Sequence, residues 1–145
     1  MLSFIDIRPA VMTAMEDVFP PEQQLVCEWY TPSLNKTLAF LRAFGFEVLR
    51  EEANHFAELG WKSKSRLMVE QVDAFLANQN EFGYRGYCGN IRVLVPDVDA
   101  VYKIAMQTEG AVILKELGDR YYGFRDFTVG GPFGLALRFS SPLSA

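Results

Sequence analysis

The chain has only two cysteines and one histidine among its 145 residues. No apolar run approaches the roughly 18 residues that a membrane-spanning helix requires. Basic residues are in the minority, 14 against 18 acidic ones, for a net charge of −4. That balance argues against non-specific nucleic-acid binding and leaves no basic stripe for phosphates. A secretory leader is not expected either: Asp6 and Arg8 interrupt the first apolar stretch and no small-residue cleavage site follows. The protein therefore reads as cytoplasmic. In a reducing compartment Cys27 and Cys88, in strand-like or pre-strand context without a redox or catalytic motif, read as buried thiols acting as small hydrophobes. The lone His55 reads as a surface or hairpin residue at the start of a strand.

Half the residues are hydrophobic and 14% are aromatic, enough for one well-packed domain. What the chain does have is an internal repeat. A strand-like run, Leu25 to Tyr30, leads into a helical stretch from Ser33 to Phe44, which Gly45 ends. About 64 residues later Asn90 to Val95 leads into a helical stretch from Asp97 to Thr108, which Gly110 ends. Strands are expected at 46–50, 55–61 and 66–70 in the first copy, and at 111–116, 124–129 and 134–140 in the second. The fold class is then α+β: two β-α-β-β-β modules forming facing curved mixed sheets around a cleft. The first module spans 22–71 and the second 90–145. Residues 1–21 form an extension with a short helix at 9–18, and 72–89 form an aromatic linker that can serve as a lid.

Four stretches carry a family resemblance: Leu38 to Phe46, Val95 to Tyr102, Tyr122 to Phe127, and the turn Gly131-Pro132-Phe133-Gly134. With the repeat they make residues 25–140 resemble the vicinal oxygen chelate superfamily, which includes glyoxalase I, extradiol dioxygenases and the fosfomycin- and bleomycin-resistance proteins. The resemblance implies a divalent metal held by two ligands from each module, at positions that fall near Val26, Glu70, Asn90 and Arg138. Only Glu70 is a competent ligand. Valine offers no lone pair, asparagine is a weak donor, and arginine is an obligate cation. The expectation is therefore no metal and no other cofactor, as in the bleomycin-resistance branch that the chain most resembles.

Strand alternation forecasts what lines the cleft instead. Leu25, Cys27 and Trp29 should face the helix, as should Leu67 and Val69, Ile91 and Val93, and Leu135, Leu137 and Phe139. That leaves Glu28, Tyr30, Arg66, Met68, Glu70, Asn90, Arg92 and Arg138 for a ligand, with Tyr122 from an aromatic cluster around the seventh strand. Charges so placed must pair with one another or meet a charged ligand. The expected function is sequestration of a small polar molecule, a drug or a metabolite, in clefts of a homodimer and without chemistry. The alternative is a lyase, isomerase or dioxygenase with metal ligands from elsewhere or with Glu70 as a base.

Overall fold

A computed structural model describes residues 25–62, 64–73, 86–87 and 89–143. The expected helix at 9–18, most of the linker, and Cys88 lie outside the described residues. The first module runs β1 (Cys27–Thr31), α1 (Leu34–Ala43), β2 (Glu47–Glu52), β3 (Phe56–Trp61) and β4 (Ser65–Gln71). The second runs β5 (Ile91–Leu94), α2 (Val98–Gln107), β6 (Val112–Asp119), β7 (Phe124–Gly130) and β8 (Ala136–Pro142), with a 3-10 turn at Pro132–Gly134. Each module is one mixed four-stranded sheet, in the orders β1-β4-β3-β2 and β5-β8-β7-β6. The first and last strands are parallel and the other pairs antiparallel. The fold is the expected α+β arrangement of two repeated units.

The helices start differently although their sheets match. Asp97 caps α2, accepting the Ala100 N–H at 3.1 Å. Ser33 stands at the cap position of α1 but its side chain makes no capping bond. The Leu34 N–H is held instead by Gln71 Oε1 at 2.9 Å. The corresponding Val98 N–H is held by Ser141 Oγ at 3.1 Å. Each helix is thus tied to the far end of its module's last strand. Gly45, at φ +94°, follows α1 in the left-handed region that glycine enters without strain, and the Phe46 N–H closes back onto the Leu41 carbonyl at 3.2 Å.

Alternation sets the core. Leu59, Leu67 and Val69 of the first sheet and Phe127, Val129, Leu137 and Phe139 of the second belong to one buried cluster with Leu34, Leu38 and Leu41 of α1. Phe44, at the end of α1, stacks on Phe139 of the other module with ring centroids 5.2 Å apart, and Trp61 approaches Phe139 at 6.4 Å. Phe40 packs against Gly131, where a Cβ would meet its ring. The two sheets therefore meet through their helix-covered faces, and the opposite faces turn away from the shared core. The edge strand β1 departs from expectation. Leu25 is 91% exposed and Cys27 is exposed, because Leu25 lies outside the paired register and Cys27 opens it opposite Leu67. Cys27 is thus not a buried core thiol. Its thiol pKa is pushed up by partial burial and by the neighbouring charge of Glu28.

Candidate functional site

The open face of each sheet is a ladder of cross-strand rungs. In the first module one rung reads Glu28 (β1), Met68 (β4), Glu58 (β3) and Arg50 (β2), and the next reads Tyr30, Glu70, Phe56 and Glu52. Glu58 binds Arg66 at 3.2 Å and Arg50 at 3.7 Å, and Arg50 also lies over the Phe56 ring. This face is acidic, and its Glu58 is paired to two arginines.

The corresponding rung of the second module reads Arg92 (β5), Arg138 (β8), Thr128 (β7) and Lys115 (β6). It holds three cations and no acid. Arg92 lies over the rings of Tyr122 at 5.8 Å and Phe124 at 5.5 Å, and the Lys115 ammonium lies 5.9 Å from the centroid of Tyr122. Arg138 Nε donates to Thr128 Oγ1 at 3.2 Å. Among the described residues none of these three cations is ion-paired to a carboxylate.

The next rung passes through Leu94, Ser140, Asp126 and Gly118. Asp126 is fully buried and already committed. It accepts Arg120 Nε at 2.8 Å and the Tyr122 hydroxyl. Burial alone raises its carboxyl pKa, but the bonds from Arg120 and Tyr122 and the charges of Arg120 and Lys115 outweigh it, holding the group below the usual carboxylate value. The same bond raises the Tyr122 phenol, since the proton it would lose is donated to Asp126. Ser140 Oγ is buried without a hydrogen-bond partner among the described residues. At the end of this face Tyr87, from the linker, covers Gly130 and donates to the Gly131 carbonyl at 3.2 Å.

Between the modules a cavity of about 370 Å³ is walled by Cys27, Phe46, Trp61 and Ile91, with Arg66 and Arg92 also lining it. That is within the size range of small-molecule sites.

The expected site residues therefore fall into two groups. Glu28, Tyr30, Arg66, Met68 and Glu70 share the open face of the first sheet, while Arg92, Arg138 and Tyr122 share that of the second. Asn90 lies exposed just before β5. The aromatic cluster divides: Tyr122 and Phe124 stay on the open face, Phe127 enters the core and Tyr121 is fully exposed. Arg125 turns to the helix side and clamps α2, binding Asp99 at 2.9 Å and Asp119 at 3.0 Å. His55 is an exposed turn residue preceding β3. Lys115, Thr128, Asp126 and Ser140 join the site without having been foreseen.

The residues present do not suit the metal that the fold family implies. Arg138, at a position where the resemblance implies a ligand, is a cation, with a second guanidinium beside it and an ammonium in the same rung. Asn90, the other position implied in this module, lies exposed just before β5. Among the described residues no three His, Cys, Asp or Glu side chains converge.

No protein-family description matches the chain in sequence, and no curated protein does. Solved structures do match it in shape. TioX from Micromonospora sp. ML1 is 24% identical, with a TM-score of 0.63 over 82% of this chain and 98% of that one. A glyoxalase/bleomycin resistance protein/dioxygenase family enzyme from Burkholderia phytofirmans PsJN is 20% identical, with a TM-score of 0.64 over 81% and 97%. A bleomycin-binding protein complexed with bleomycin is 14% identical, with a TM-score of 0.58 over 82% and 98%. These likenesses establish the fold as that of the glyoxalase/bleomycin resistance/dioxygenase proteins, the vicinal oxygen chelate fold.

Proposed function

We propose that this protein binds a small polar molecule without a metal, in clefts built by two copies of the chain, and breaks no bond in it. The observation that carries this reading is the cationic rung Arg92-Arg138-Thr128-Lys115, in which Arg138 stands at one of the positions where the resemblance implies a metal ligand. Three positive charges repel a divalent ion and attract polar ligand groups. The bleomycin-binding neighbour, crystallised with its ligand, supports a non-catalytic use of the fold.

The homodimer is supported by the way the modules meet. Their shared core lies under the helix-covered faces, so among the described residues neither sheet covers the other's open face. Tyr30, Leu49 and Leu94 lie on those faces and are 47%, 42% and 59% exposed. Apolar groups beside charged rungs fit a surface that a second copy covers. The first module of one copy against the second module of another would set an acidic rung opposite a cationic one, with the ligand between them. Glu28, Tyr30, Arg66, Met68, Glu70, Asn90, Arg92, Arg138 and Tyr122 are the ligand-binding residues on this reading. Among the described residues no helix is long and apolar enough to cross a membrane, in keeping with the proposed cytoplasmic location.

Sedimentation velocity combined with a thermal-shift screen of small polar compounds, run with and without a chelator, tests the reading. A dimer whose ligand-induced shift survives chelation is expected. A shift that vanishes on chelation and returns with one divalent metal would overturn it.

A further inference from the structure

Arg92 and Arg138 are direct cross-strand partners in the parallel β5–β8 pair, on the same face of the sheet. Like charges so placed destabilise a sheet, and within one chain no described carboxylate pairs with either of them. Lys115, in the same rung, adds a third positive charge. Asp126, on the same face, is taken by Arg120 and Tyr122. Arg92 is held over two aromatic rings, and Arg138 Nε is fixed by Thr128, leaving its terminal nitrogens to bind elsewhere.

We infer that the second module's open face is an oxyanion site, in which Arg92, Arg138 and Lys115 hold a carboxylate or a phosphate monoester. This rests on the small-molecule reading above and narrows it to the class of ligand. A pair of adjacent guanidinium groups supplies forked donors suited to a planar carboxylate or to two phosphate oxygens. The bound anion removes the repulsion between Arg92 and Arg138. The first module cannot do the same, because its equivalent rung carries Glu28 and Glu58 and sets Met68 where the second has Arg138.

The test follows the arginine side-chain Nε–H resonances in ¹H–¹⁵N NMR spectra of the full chain, titrated with benzoate, phenyl phosphate, benzamide and benzylamine. The two acids should shift the Arg92 and Arg138 signals saturably, while the neutral amide and the amine leave them unmoved. Arg138→Met, the residue the first module carries at that place, should weaken acid binding at least about tenfold. Arg92→Gln, at an exposed position, should weaken it comparably without threatening the fold. Tighter phenyl phosphate identifies a phosphate monoester as the natural group, and tighter benzoate a carboxylate; either supports the inference. Saturable binding of benzamide or benzylamine on these faces, with the acids silent, overturns the inference and leaves the binding reading intact. Silence toward all four probes overturns both.

Discussion

Glu28 and Arg92 occupy the same place in the two modules, as do Met68 and Arg138, Glu58 and Thr128, and Arg50 and Lys115. The helix-side partners in the same strands behave differently. Leu59 and Val129, Leu67 and Leu137, and Val69 and Phe139 are all apolar and at most 3% exposed. One side of each sheet is constrained by the core it shares with the other module, and any polar group there would be buried without a partner. The other side faces outward and can change sign. Two units with one topology thus carry an acidic rung in which Glu58 pairs with Arg50 and a cationic rung that no described carboxylate pairs.

The comparison predicts its largest effect where the modules meet. Phe139→Ala should cost about 4 kcal/mol in urea unfolding, since the ring is fully buried against Phe44 and Phe127. Val69→Ala, at the equivalent place, removes fewer carbons and should cost roughly 2 kcal/mol. Equal costs would mean that the second sheet is not the pillar of the shared core.

The charged faces should differ next. Asp126→Ala leaves Arg120 without its buried partner and should cost about 3 kcal/mol. Glu58→Ala breaks two partly exposed pairs in the first module and should cost no more than about 1 kcal/mol. The Asp126 contribution also has a pH signature. Its folded-state pKa lies below the unfolded value, so its stabilisation is fully present above about pH 3.9 and is lost as pH falls through the folded value. The stability gap between the wild type and Asp126→Asn should therefore narrow from pH 7 to pH 3. A gap that widens in acid would contradict the assignment of an ionised carboxylate.

The smallest contrast lies in the helix starts. Asp97→Ala should cost about 1 kcal/mol by losing its bond to the Ala100 N–H, whereas Ser33→Ala should cost only a few tenths. Thermal or urea midpoints of the two variants decide it, and similar losses would show that Ser33 caps α1 in solution.

These contrasts also mark what could be read in the sequence. Apolar periodicity placed the eight strands and both helices, because burial on one side repeats at 2.0 or 3.6 residues whatever the partner. The same alternation puts Glu28, Met68, Arg92 and Arg138 on the open faces. Lys115 escaped it because β6 shifts register between Ile113 and Lys115 and again before Gly118, turning the side chain from the core side to the open one. Asp126 and Thr128 were readable in principle, alternating with Phe127 and Val129, but their importance depends on bonds that a strand pattern does not encode. Ser33 had the residue type of a cap, yet Gln71, distant in sequence, holds the first free N–H of the helix. Cys27 fits the apolar side of its strand but opens the register of an edge strand, and so lies exposed. Nor could alternation say that the sheets meet through their helix-covered faces, since the same pattern serves pairing within a chain or between chains.

The proposal that the protein works without a metal, with the Arg138 cation at an implied ligand position, is tested by elemental analysis. The purified, tag-free protein should be measured before and after incubation with Zn²⁺, Ni²⁺, Fe²⁺ and Mn²⁺ followed by desalting. The account predicts substoichiometric metal throughout, unchanged in Arg138→Met. Close to one metal per chain, surviving desalting, would contradict it and return the open faces to metal-dependent chemistry.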